Sequence, residues 1–458
     1  MTEALDLGLR AQAGAIAAGE IDPATLLDAA LARIEERNPA LNAIVETFPE
    51  RSREMLAAAP AGPLHGVPVV IKDEWPLPWR AQRFGAAELM APTTPGESGP
   101  YRVLRDAGAV VVGVGNMHEL GAGSTGAISY YGPARNPWDT ERCPGGSSSG
   151  PAAAVAARLV AGAVGADGLG SVRFPAAYCG LTGLKPTFGR SAMEGHHMAP
   201  ITTLIVSGPL CADAGDCRLL GSVLFDEELA AGDAAGLRIG VVRDPVSEDV
   251  TPEVAAACET AIEQLRAETG GEVCEIELPD LEPATLAAIL IINSESMSGA
   301  TPAKLNSLSP ELSPVARGSL KYRALLPAAA TAQAQRVRTL MRRRLAALFE
   351  GVDVIAWPTI PAPAPPLEAP VVDLPSGTAA ADQANVRGAA LANLTGIPSV
   401  SMPAGLSGEG LPIALQLQAA WGADELLLDA AEALERANGR RWVDSRPPLA
   451  ELPAPTEA

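Results

Sequence analysis

Short apolar runs rich in β-branched residues recur along the chain, and none is long. Residues 67–71, 109–114, 237–242, 272–278, 352–357 and 413–417 each have the length of a strand and are bounded by turn residues. Between them lie stretches with helical periodicity. Asp22 followed by Pro23 reads as an N-cap and a first helical position, and 24–37 then sets Leu26, Leu27, Ala30, Leu31 and Ile34 on one face. Segments 101–107, 252–268 and 424–436 read as helices in the same way, and 281–350 is mostly helical. Strand-like and helix-like segments that alternate specify an α/β fold. The 458 residues would suit roughly three average domains. No linker and no internal repeat divides them, so one large α/β domain over 1–445 is the simplest account. A Pro-rich loop is expected at 358–375 and a Pro-rich tail at 446–458.

Charge narrows the function. Against 34 Lys and Arg stand 54 Asp and Glu, a net −20. Nucleic-acid binding rests on cations that neutralise phosphates, and docking on an anionic bilayer needs the same sign. Neither partner is expected, and no apolar run approaches the ~20 residues of a membrane span. No basic, apolar leader is visible either, so a cytoplasmic protein is expected. Six cysteines (143, 179, 211, 217, 258, 274) show no C-x-x-C pairing and read as reduced thiols. No Cys/His cluster has zinc-ligand spacing. The run at 342–344, with Arg336 and Arg338, reads as a solvated helix face. Only four histidines are present.

Three segments carry chemistry. In Gly62-Pro63-Leu64-His65-Gly66-Val67-Pro68-Val69-Val70-Ile71-Lys72-Asp73 a lysine ends an apolar strand. Burial there would disfavour its ammonium and let it act as a base; a lysine that snorkels to the surface is the ordinary alternative. Pro144-Gly145-Gly146-Ser147-Ser148-Ser149-Gly150-Pro151 opens an Ala-rich helix and lets backbone approach a ligand closely, though a plain Gly/Ser turn has the same composition. Gly165-Ala166-Asp167-Gly168-Leu169-Gly170-Ser171 delivers a serine behind several backbone N–H groups, which could cradle an oxyanion or simply join a strand to a helix.

Taken together, the three segments resemble the amidase signature family. Ser171 lies twenty-four residues after Ser147, the family's interval between the first Ser of its G-G-S-S-G-G stretch and its nucleophile. Lys72 corresponds to the lysine of the family's H-G-I/V-P-x-x-I/V-K-D stretch. Residues 179–190 are similar to its C-G-x-x-G-L-K-P-T-x-G-R run, Asn116 to Leu120 to its N-M-x-E-F stretch, and 393–398 with 415–417 to its C-terminal part. The likeness spans roughly 5–435 and is weakest over 225–350.

The resemblance implies a central mixed, twisted sheet covered by helices on both faces, with a signature core at about 62–215 and a variable helical pocket or lid region at 281–350. It implies a Ser171 nucleophile that forms an acyl-enzyme, Ser147 as proton relay after a cis bond from Gly146, and Lys72 as base. It further implies an oxyanion hole from the N–H groups of Gly168, Leu169, Gly170 and Ser171, with Gly146, Ser148, Asp167 and Arg173 in support and Asp167 paired to Arg173. No metal or organic cofactor is implied. Trp75, Gly123, Ser124 and Leu169 are expected at the substrate, and Trp79, His118 and His197 are weaker candidates near the cleft.

The sequence departs from the family pattern in several places. Leu169 stands where glycine is usual, Ser149 replaces a glycine, and Glu74 to Trp79 replace the usual stretch after Lys72-Asp73. The expected reaction is hydrolysis of a small or aryl amide, with a carbamate (urethane) bond as a further possibility and an esterase side activity. Water and a small amide or carbamate would be its only partners, in a monomer or homodimer. The alternative within the family is the A subunit of a glutamyl-tRNA(Gln) amidotransferase, a glutaminase that acts in a complex. An α/β-hydrolase is disfavoured, because no G-x-S-x-G follows a strand and no histidine follows His197. A dead scaffold is disfavoured by the intact Lys-Ser-Ser set.

Overall fold

The structure, a computed structural model, describes residues 2–87, 89, 94–196, 202–297 and 301–439. The expected tail at 446–458 and His197 lie outside these residues. The described strands are β1 (Ile44–Thr47), β2 (Pro68–Lys72), β3 (Val110–Gly115), β4 (Gly162–Asp167), β5 (Thr182–Lys185), β6 (Val206–Cys211), β7 (Arg238–Val242), β8 (Glu272–Ile276), β9 (Val354–Pro358), β10 (Val371–Leu374), β11 (Gly377–Ala380), β12 (Ser399–Leu406) and β13 (Pro412–Ala419). Eleven form one mixed sheet in the order β1-β3-β2-β4-β6-β5-β12-β13-β9-β7-β8. β10 and β11 form a separate hairpin inside and just beyond the segment expected to be loop. β1, β5, β6 and β12 are strands that apolar runs alone did not mark out.

β2 shows why its run is continuously apolar. It lies between β3 and β4 and is parallel to both. Val69 and Ile71 enter one core cluster, with residues of the helices Gly99–Asp106 and Ala214–Phe225, while Val70 enters another with the helix Ser149–Ala156. Successive side chains on a strand point to opposite faces, so a strand covered on both faces must be apolar at every position. Pro68 sits at the first residue of the strand, where a missing N–H does least harm. Every residue of Ser149–Ala156 is buried. Its alanines let it lie close to the sheet, and a Cβ on Gly115 would fall 2.6 Å from Pro151 Cδ.

The helix expected at 24–37 is Pro23–Leu41, and Asp22 caps it by accepting from the Thr25 N–H at 2.9 Å. A third cluster joins the helices Leu281–Ser296, Ala328–Leu348 and Ala381–Thr395. The arginines of Ala328–Leu348 do not form one solvated face as expected. Arg338 is buried and donates to Thr203 Oγ1 and O at 2.8 Å each, and Arg342 donates to Thr395 O at 2.7 Å. All six cysteines are free thiols, and five are buried. No described helix is long and apolar enough to cross a membrane.

Candidate active site

The parallel pairing of β2 and β4 brings the ends of two motifs side by side. Lys72 ends β2 and Asp167 ends β4, so the turns that follow both strands open on the same edge of the sheet. Lys72 is only 1% exposed. Its Nζ donates to Ser147 Oγ at 2.8 Å and more weakly to Ala166 O at 3.4 Å. Ser147 follows a cis peptide bond from Gly146, and its carbonyl accepts from the His118 N–H at 3.1 Å. Ser148 ties the two motifs together. Its N–H donates to Ser171 O at 3.2 Å, and its hydroxyl donates to Ala166 O at 3.3 Å. Lys72, Ser147 and Ser171 line one cavity of about 350 Å³, near the lower end of small-molecule sites. The Ser171 hydroxyl makes no hydrogen bond among the described residues.

Asp167 organises the turn that carries Ser171. Arg173 donates to it through Nε at 3.0 Å and Nη2 at 3.1 Å, and both side chains are fully buried. Asn393 Nδ2 adds a bond at 2.9 Å, and Arg173 reaches on to Asn393 Oδ1 and Gln416 Oε1. Burial alone would raise the Asp167 pKa. Arg173, Lys185 and Asn393 outweigh that and hold the carboxylate well below the usual range. The C-terminal motif therefore acts on this turn directly, through Asn393 and Gln416.

This arrangement corrects the expected oxyanion hole. The Gly170 N–H donates to Asp167 Oδ1 at 2.7 Å and is not available to a ligand. Gly170 instead supplies φ +120°, and a Cβ there would fall 2.3 Å from the Phe174 ring. The N–H groups of Gly168, Leu169 and Ser171 have no partner among the described residues. Gly168, Leu169 and Ser171 all line the cavity.

Trp75 is the second correction. It is fully buried in the main core, with its ring 4.9 Å from that of His196, and it does not line the cavity. An indole excluded from water stabilises the core more than the rim of a cleft would allow. Trp79 packs edge-on against Phe48 and Tyr101, also away from the cavity. The neighbour of Trp75, Glu74, lines the cavity instead. Its Oε2 lies 2.6 Å from Lys72 Nζ and its Oε1 2.7 Å from His196 Nε2. Burial opposes the Glu74 charge, but Lys72 and His196 overcome this and bring its pKa down to about 2. Lys72 is buried as expected, and the Glu74 carboxylate stands at hydrogen-bond distance from it. The acidic residue two positions after the lysine was the available signal.

Gly123 and Ser124 line the cavity as expected. Ser124 donates to Asp382 Oδ1 from N–H at 2.5 Å and from Oγ at 2.8 Å. His118 supports this loop from below: Gly126 N–H donates to its Nδ1 at 3.2 Å, and a Cβ on Gly123 would strike its ring. Burial lowers the His118 pKa despite Asp382 and Glu119, in keeping with a neutral acceptor ring. The far wall is one face of Leu281–Ser296, formed by Ile289, Ile292, Asn293 and Ser296, together with Ser319, Leu320 and Arg323. Sequence reasoning named the region but none of these residues. Among the described residues no three His, Cys, Asp or Glu side chains are grouped so as to hold a metal ion.

The family model described as Amidase matches residues 25–428. The A subunit of glutamyl-tRNA(Gln) amidotransferase from Methylococcus capsulatus is 34% identical, over 91% of this chain and 94% of its own. Among solved structures, a crystal structure of an amidase aligns with a TM-score of 0.87 at 30% identity, covering 94% of this chain and 99% of its own. The A subunit of glutamyl-tRNA(Gln) amidotransferase from Thermotoga maritima aligns with a TM-score of 0.76 at 25% identity, covering 95% and 93%.

Proposed function

The chain belongs to the amidase family, and from that premise we propose that it hydrolyses a carbon–nitrogen amide bond through an acyl-enzyme on Ser171. The observation that carries this reading is the 2.8 Å bond from buried Lys72 to Ser147, in the same cavity as the unengaged Ser171 hydroxyl. In the reaction Ser171 Oγ attacks the carbonyl carbon, and its proton passes through Ser147 to Lys72 in its amine form. Oxyanion charge develops toward the N–H groups of Gly168, Leu169 and Ser171. Lys72 then returns the proton to the leaving nitrogen as the C–N bond breaks. Water attacks the ester by the same relay and releases the acid. Gly146 and Ser148 shape the Ser147 turn, and Asp167 with Arg173 fixes the Ser171 turn. None of these steps calls for a metal or organic cofactor.

A second reading is favoured by sequence likeness. The 34% identity to the A subunit of a glutamyl-tRNA(Gln) amidotransferase supports a glutaminase working in a complex more strongly than it supports a dedicated small- or aryl-amide, urethane or ester hydrolase. The structural likeness to an amidase, 0.87 against 0.76, supports a freestanding hydrolase. Both readings use the same acyl transfer. The test is a comparison of kcat/KM for L-glutamine, simple amides, anilides, carbamates and esters, with Ser171→Ala as control and sulfonyl fluoride labelling located by peptide mass. Turnover of any amide that Ser171→Ala abolishes, with the label on Ser171, supports the mechanism; retained turnover in that variant overturns it. Glutamine hydrolysis that appears only with partner proteins present selects the second reading.

A further inference from the structure

Arg323 is the unusual cation of this cavity. It ends the helix Pro314–Arg323 and lines the same space as Lys72, Ser147 and Ser171. Four other arginines drawn away from water meet carboxylates, Arg80 with Asp73, Arg173 with Asp167, Arg190 with Asp424 and Arg218 with Asp429, whereas buried Arg338 bonds Thr203. Arg323 meets no carboxylate among the described residues. Its one bond is from Nη1 to Ser296 Oγ at 3.2 Å, and its Nε is sealed from solvent without a partner. A guanidinium carries five donors in a plane, so most of this one's capacity is unused. Burial acts on it unopposed and lowers its pKa, whereas the paired Arg80 and Arg190 are raised. The two acids of the cavity are engaged elsewhere, Glu74 with Lys72 and His196, and Asp382 with Ser124.

Arg323 is partly buried, and a cation drawn partly out of water in a cleft with a sealed, unpartnered Nε gains from an anion that meets it. A ligand carboxylate fits the planar fork, which can donate two parallel bonds to it. The cavity also carries the apolar side chains of Leu120, Ile292 and Leu320, which can pack against a short methylene spacer.

We propose that Arg323 is the anchor for a carboxylate on the substrate, so that the amides this site takes are monoamides of dicarboxylic acids, with the scissile amide at Ser171 and the free acid at Arg323. The proposal rests on the acyl-transfer reading of the same cavity and goes beyond it by fixing the charge of the substrate. Glutamine is one member of the class, with an added ammonium.

The test compares the purified full chain on malonamate, succinamate, glutaramate and adipamate with the neutral alkanamides of equal length, and with L-glutamine. At least one acid should exceed its neutral counterpart by tenfold or more in kcat/KM, chiefly through KM, and the advantage should shrink as salt is raised. In Arg323→Gln the ratio of acid to neutral substrate should fall at least tenfold, and Arg323→Lys should restore part of it. A wild-type enzyme that turns over neutral amides as well as their acids overturns the proposal without any variant. An unchanged ratio in Arg323→Gln overturns it as well. Absence of turnover on every amide, acid or neutral, together with no sulfonyl fluoride label on Ser171, would instead overturn the acyl-transfer reading beneath it.

Discussion

The two walls of the cavity are built on different principles. The wall of β2, the turn before the helix Ser149–Ala156 and the turn after β4 holds Lys72, Ser147 and Ser171 on backbone fixed by the sheet and by a buried ion pair. Its side chains are close in sequence to glycines, prolines and small residues, because each must be delivered at a set angle. The opposite wall is made by helix faces: Ile289, Ile292, Asn293 and Ser296 recur at i, i+3, i+4 and i+7. A helix face changes one side chain at a time without moving its neighbours. Chemistry therefore sits where backbone constrains residue type, and substrate choice sits where it does not.

The largest effects should divide the walls. Ser171→Ala and Lys72→Ala should each lower kcat/KM by about a thousandfold or more, with native circular dichroism retained. Ile292→Ala should change kcat/KM by no more than about a hundredfold and should reorder substrates by chain length, since a pocket methylene is worth about 1–3 kcal/mol. If the helix-wall variant equals the serine variant on every substrate, the division fails. Next in size is stability. Arg173→Met leaves the Asp167 carboxylate buried without its main partner, which should destabilise the fold by about 3–5 kcal/mol, read from the urea midpoint. Ile292→Ala should remove less, about 2–3 kcal/mol, as a cavity at the edge of the main core.

The same division explains what could be read from sequence. The strand at 67–71, the helix after Asp22 and the Lys72, Ser147 and Ser171 set were legible because periodicity and fixed spacing encode them locally. Gly170 was misassigned because the sequence names a donor but not who accepts from it; Asp167 took that N–H first. Trp75 was placed at the substrate because an aromatic near a catalytic lysine suits either a pocket or a core, and only the packing around His196 decides. β5, β6 and β12 escaped because their strands hold Gly, Pro and Ser and are buried by their neighbours rather than by their own pattern. Arg323 lies more than 150 residues from Ser171, on a helix whose approach to the cavity nothing local records.

The smallest effect concerns Glu74, which belongs to the catalytic wall by position and to neither wall by sequence pattern. Its native pKa of about 2 lies below the ordinary value of about 4.5, so the folded state binds its proton less readily than the unfolded state does. Its contacts with Lys72 and His196 therefore contribute stability that is fully present above about pH 4.5 and is lost as pH falls toward about 2. Glu74→Gln removes the titrating group. The gap in urea midpoint between wild type and this variant should be flat from about pH 7 to about pH 5 and should close progressively below about pH 4.5. Arg323→Gln, on the other wall, removes no carboxylate pair and should leave the wild-type slope over that acid range unaltered. A gap for Glu74→Gln that stays constant down to about pH 3 would mean that the carboxylate is not held ionised by Lys72 and His196, and that the catalytic wall relies on Asp167 and Arg173 alone for its buried charge.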